Sequence, residues 1–131
     1  MIDSDACLLS FLMNQPTLIA KTSTRLWSRR SEPVPGYKPS DGSAIVFRSR
    51  GGAPDYSRAL LGQSWQFKVY GLTEDIANET YRTLVDVLDE AQSGNLKWAA
   101  LEISGQILTE QKPSWIYVLC YFETKMVYDP I

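Results

Sequence analysis

The stretch RSRGGAPDYSR, residues 48 to 58, sets Arg48, Arg50 and Arg58 around a Gly51-Gly52 pair and a Pro54-Asp55 turn. Guanidinium groups present paired N–H donors to phosphate or carboxylate, and glycines let backbone amides approach an anion closely. Phosphate binding is therefore the first chemistry to weigh. A phosphate cradle of the P-loop kind needs GxxxxGK[ST] at the start of a helix. Gly51 and Gly52 lack the Lys-Ser/Thr pair and lead toward a strand, and the chain contains no GxGxxG. The stretch reads instead as a hairpin tip with turn chemistry at Ala53, Pro54 and Asp55.

A second chemistry is single-strand binding, in which cations grip the backbone while aromatics stack on bases. Arg48, Arg50, Tyr56, Arg58 and Trp65 have that composition, so a small nucleic-acid-binding module using the basic region 21 to 58 is the alternative reading. Nothing spells an RNP motif or a helix-turn-helix. Trp27, flanked by Arg25, Arg29 and Arg30, has the residue types of an interface anchor, or packs on the core. Glu102 and Glu123 are the carboxylates available for acid-base work; on a sheet face they pair as readily with Lys97 or Lys125. The chain has no histidine, which removes Ser-His-Asp and Cys-His relays and every His-containing metal site. Cys7 and Cys120 form no CxxC and sit among apolar residues, as buried free thiols do. The expectation is a non-enzymatic protein without cofactor or metal.

Charge is unevenly spread. The net charge is −2, which disfavours general affinity for nucleic acid. Yet residues 21 to 58 carry eight Lys/Arg against Glu32, Asp41 and Asp55, a local +5, while residues from 59 onward carry five basic against ten acidic side chains, a local −5. The basic part of one copy could meet the acidic part of the next.

These residues need a scaffold, and 131 residues with 44% hydrophobic content suit one domain, residues 1 to 131. No apolar run reaches the roughly 18 residues of a membrane span, and the acidic start, MIDSDACLLSFLMNQP, does not resemble a secretory signal. Residues 4 to 13 read as a short helix capped by Ser4 or Asp5 and closed before Pro16, with a further turn over 17 to 21. Residues 28 to 43, rich in Pro and Gly, form a flexible connection, long enough to suggest a contact surface. Strands follow at 44 to 50 and 63 to 71, joined by a flexible tip over 50 to 62; Trp65, Phe67 and Val69 alternate with polar residues. Residues 73 to 92 form the main amphipathic helix, capped by Thr73 and stopped by Gly94. Strands at 97 to 108 and 114 to 127, with TEQKP as their turn, complete an α+β fold. It is a mostly antiparallel sheet of about four strands with a long hairpin, packed on one main helix and a short N-terminal one. The last strand is apolar on both faces: Ile116, Val118, Cys120 and Phe122 on one, Trp115, Tyr117, Leu119 and Tyr121 on the other. Its second face calls for a cover, such as another subunit.

The order of elements, with the run IVFRSRGGAPDYSRALLGQSWQFKVYGLTEDIANETYRTLVDVLDE, resembles the tail terminator, or tail-completion, proteins of long-tailed bacteriophages. The matching pattern is a strand ending at a glycine-rich tip (44 to 52), an aromatic strand ending in a short turn (Trp65 to Tyr70), and an amphipathic helix (Thr73 to Leu88). The resemblance implies a virion protein at the head-proximal end of the tail, assembled in the host cytoplasm. It implies a ring, a homohexamer, that caps the tail tube, stops its polymerisation and offers a surface for head-tail joining. Its partners are then itself, the tail-tube protein and a head-completion or neck protein, with DNA passing through the channel. No cofactor, catalysis or membrane is implied. Candidate interface residues under this reading are Arg48, Arg50, Asp55, Tyr56, Arg58, Trp27, Arg29 and Arg30, touching a neighbouring subunit or the channel.

Overall fold

The computed structural model describes residues 1–110 and 113–130. The turn expected at TEQKP lies partly outside them. Helix α1 spans Ser4–Met13, and Asp3, instead of Ser4 or Asp5, caps it by accepting from the Ala6 amide at 3.2 Å. Pro16 opens α2, Pro16–Thr22, where its missing N–H leaves no bond unmade. Helix α3, Glu74–Leu88, is capped as expected, the Thr73 hydroxyl accepting from the Ile76 amide at 3.2 Å. It stops four residues short of the expected Gln92. The Asp89 side chain turns away to accept from the Leu101 amide at 2.8 Å, and Gly94, at φ +57°, serves the turn joining Ser93 to Leu96 instead of a helix end.

Five strands build one sheet: β1 (Leu26–Ser28), β2 (Ala44–Pro54), β3 (Leu60–Gly71), β4 (Leu96–Thr109) and β5 (Ile116–Val127), in the order β1-β2-β3-β5-β4. The sheet is mixed, with one strand more than expected. Leu26, Trp27 and Ser28 pair in parallel with Ile45, Val46 and Phe47, and so short a run shows no period of two for a sequence reading to find. All other pairings are antiparallel. The β2–β3 ladder runs on to Pro54↔Leu61, with a bulge between Ser49 and Gly51. The loop joining these strands is therefore Asp55 to Ala59, shorter than the tip expected over 50 to 62. Gly52 carries the ladder because it has no side chain: a Cβ there would lie 2.0 Å from the Gly62 carbonyl oxygen.

One sheet face is the core. Phe47, Trp65, Phe67, Val69, Val118, Cys120, Phe122 and Met126 are buried against Leu8, Leu12, Leu18, Ala77, Leu84 and Leu88 of the helices. Each Val, Leu, Phe and Met side chain among them contributes about 1.5–3 kcal/mol of apolar burial. Phe47, Phe67 and Phe122 lie in neighbouring strands with ring centroids 5.2 and 5.3 Å apart. The Trp65 indole N–H, which burial would leave costly if unbonded, donates to Thr124 Oγ1 at 2.7 Å.

The other face is half covered. The connection from Arg29 to Ser43 folds back as a strap, and its Tyr37 is buried with Ala44, Val46 and Tyr70, beside Trp27, Val34, Trp115 and Tyr117. Tyr37 meets Trp27, Trp115 and Tyr70 edge-on at 5.7, 5.6 and 6.4 Å, the arrangement favoured by ring quadrupoles. Its hydroxyl donates to the Gly42 carbonyl at 2.6 Å, and burial pushes its pKa up to about 12. Beyond the strap this face is open to solvent. The second apolar face of β5 is thus covered at Tyr117 by the chain's own aromatics, and Leu119 and Tyr121 remain half-buried.

Candidate interaction surface

The strand register brings Arg50 onto the open face beside groups from three other strands. Its guanidinium carbon lies 4.3 Å from the centre of the Tyr121 ring, and one of its nitrogens donates to Ser64 Oγ at 3.3 Å and lies 3.7 Å from Glu102. The Ser64 hydroxyl donates to Glu102 Oε1 at 2.7 Å. Glu102 therefore meets Arg50, not Lys97 or Lys125, while Lys125 lies over Trp98 at 5.6 Å. Glu123 shares the face, and both carboxylates border a notch walled by Gly51, Gly52 and Gly62. Arg48 is exposed, opposite Gln66 in the ladder.

Asp55, Tyr56 and Arg58 do form the tip. Asp55 organises it: its carboxylate accepts from the Ala59 amide at 2.8 Å and from the Ser57 hydroxyl at 3.2 Å. Its backbone donates to Leu60 and accepts from Arg58. Desolvation raises the Asp55 pKa, but hydrogen bonds from the Leu60 and Ala59 amides, Ser57 and the Arg58 amide together outweigh it, so the balance falls below the ordinary carboxylate value. Arg58 takes a left-handed backbone, φ +57°, with its guanidinium 6.0 Å from the Tyr128 ring centre. Tyr56 is fully exposed.

The remaining three candidates lie elsewhere. Arg29 pairs with Asp5 at 3.0 Å and Asp3 at 3.3 Å, tying the start of the strap to α1. Its hydrogen bond and attraction to Asp5, then to Asp3, raise its pKa. Arg30 donates to the backbone carbonyls of Glu32 and Pro33, and Trp27 packs on Tyr37. The eight candidates are thus spread over tip, open face and strap and form no single site. Phosphate contact would have to compete with partners already held by Arg29, Arg30 and Arg50.

A second surface went unread in the sequence. At the far end of β3, Gly71, Leu72, Trp115, Ile116, Pro39 and Ser40 line a groove of about 300 Å³ together with Lys38 and Ser114. Leu72 precedes the helix cap, where a hydrophobic residue usually staples onto the residue four positions into the helix. That residue is Ala77, too short to reach out, and Leu72 stays 56% exposed. The missing staple was the available signal.

Among the described residues these surfaces hold no assembled nucleophile, base and orienting group. Among the described residues no group of three or more Cys, Asp or Glu side chains could hold a metal ion, and no described helix is long and apolar enough to cross a membrane.

The fold defines a class of α+β domains with a mixed five-stranded sheet. No model of a known protein family matches the sequence, and no curated protein matches it. Solved structures do. A chain from the virion of a native gene transfer agent particle has a similar fold, with a TM-score of 0.70 at 16% identity over 94% of this chain and 93% of that one. A second solved structure matches with a TM-score of 0.57 at 14% identity over 100% of this chain and 99% of that one.

Proposed function

We propose that the chain is a structural component of a phage-like virion, and within it the tail terminator: a ring, built of six copies, that caps the tail tube, stops its growth and receives the head's neck proteins. The observation that carries this reading is the whole-chain likeness in fold to a gene transfer agent virion chain, with 94% and 93% of the two chains superposing. Two physical features support it. A ring needs two different complementary surfaces on each subunit, and this chain has a tip presenting Tyr56 and Arg58 at one end of its sheet and a groove with Leu72 and Trp115, followed by Glu74 and Asp75, at the other. Arg29, Arg30 and Arg50 have protein partners already, which favours protein over nucleic acid as what the basic region meets.

The test is incubation with purified tail tubes of the matching phage and fresh tube protein. The expected result is tubes of fixed length with a ring at one end, seen by electron microscopy. Tubes that keep elongating, with bare ends, would overturn the proposal.

A further inference from the structure

The hairpin tip and the groove lie at opposite ends of β3, whose 12 residues span about 40 Å at the usual strand rise. Neither can reach the other within one chain. From their complementarity we infer that the tip of one copy docks in the groove of the next, Tyr56 entering between Leu72 and Trp115 and Arg58 meeting Glu74 and Asp75.

Shape and charge both favour this occupant. A groove of about 300 Å³ lined by Leu72, Trp115, Ile116 and Pro39 offers an apolar seat for one aromatic side chain, and Tyr56 is fully exposed. Glu74 and Asp75 follow Leu72 by two and three positions in the first turn of α3, and Arg58 follows Tyr56 by two. Among the described residues Arg58, Glu74 and Asp75 make no ion pair, so each is available. The tip is already fixed by the Asp55 hydrogen bonds, which lowers the ordering cost of docking. The contact is heterologous and its two patches are separate, so copies joined this way propagate head to tail until the rotation closes a ring. The inference gives the ring of the proposed function its subunit contact, and that is its only reliance on that reading.

Two measurements test it. Arg58→Glu and Asp75→Arg chains, each checked for native circular dichroism, are compared with wild type by sedimentation velocity. Each alone is expected to weaken self-association at least tenfold. Mixed in equal amounts they should regain wild-type association as alternating copies, because the substituted tip then meets the substituted groove while the unchanged Arg58 tip meets the unchanged Glu74 and Asp75. Separately, a chain with Tyr56→Cys and Leu72→Cys is oxidised. A ladder of covalent multimers is expected, against nothing beyond dimers for either single substitution, and this arm captures contact even where wild type sediments as a monomer. Single variants that associate like wild type, a mixture that does not regain association, or the absence of a ladder would each overturn the inference. A ladder from a protein that leaves tube growth unchanged would instead refute the terminator role and leave this contact standing.

Discussion

Thr124 shows how much one hydroxyl can carry in this molecule. It is fully buried and accepts the Trp65 indole N–H at 2.7 Å, so Thr124→Val keeps the shape and orphans a buried donor. A loss of about 1–3 kcal/mol is expected, read as a lower urea midpoint at unchanged slope. Arg50 is the opposite case. Its ion pair with Glu102 is partly solvated, and such a pair contributes about 0.2–1 kcal/mol. Cys120 supplies a pH test: burial pushes its thiol up from 9.0 to about 12. The folded state holds the proton that the unfolded chain releases near 9, so this group's contribution is complete below that value and is lost as pH rises toward 12. At pH 8 a thiol reagent should leave Cys120 unlabelled until denaturant is added; prompt labelling of the folded chain would contradict its burial. Trp65 was legible in the sequence because Trp65, Phe67 and Val69 alternate with Gln66 and Lys68. Its partner was not, because Thr124 stands in the polar-looking ETK and only the register reveals which face it shares.

At the scale of elements, the joint between β3 and α3 is the most constrained. A Cβ on Gly71 would fall 2.5 Å from the Ala77 amide nitrogen and 2.9 Å from its Cβ, so the first turn of α3 rests directly on the strand backbone. Gly71→Ala should cost about 1–3 kcal/mol through overpacking and shift Leu72 and the groove with it, read as a lower melting temperature. An unchanged melting temperature would mean the helix can lift without penalty. Elements of strong period were readable from sequence: α3 from its three and four spacing, β3 from alternation, β5 from its length. Two were not. The three residues of β1 are too few for any period, and the strap looks like loop because its prolines and glycines hide Tyr37, whose burial depends on an aromatic nest assembled from Trp27, Tyr70 and Trp115. The hairpin ladder was underestimated for a related reason: glycines marked residues 51 and 52 as tip, whereas Gly52 is there to let two strands approach.

Across the whole molecule, the charge polarity seen along the sequence becomes a spatial one, since β1 and β2 lie at one edge of the sheet and β4 at the other. Part of it is neutralised internally, by Arg29 with Asp3 and Asp5 and by Lys21 with Glu79. Among the charges in no ion pair within the described residues are Arg58 at the tip and Glu74 and Asp75 at the start of α3. Subunit association should therefore weaken with salt as the screening length shrinks from about 10 Å at 0.1 M to about 3 Å at 1 M, while apolar seating of Tyr56 persists; association unaffected by salt would remove Arg58 from the contact. The candidate residues were only half readable for this reason: a sequence presents the exposed arm, but the groove it fits exists only after β3, β5 and the strap have come together.

The hairpin tip also has neighbours with a practical meaning. The Ile2 amide donates to the Tyr128 carbonyl at 2.7 Å, the Met1 amine pairs with Asp129 at 2.9 Å, and the Tyr128 amide donates to Ala59 at the base of the tip. An affinity tag fused at residue 1 or after residue 130 would hang beside Tyr56 and Arg58. Tagged preparations should then sediment as smaller species than cleaved ones.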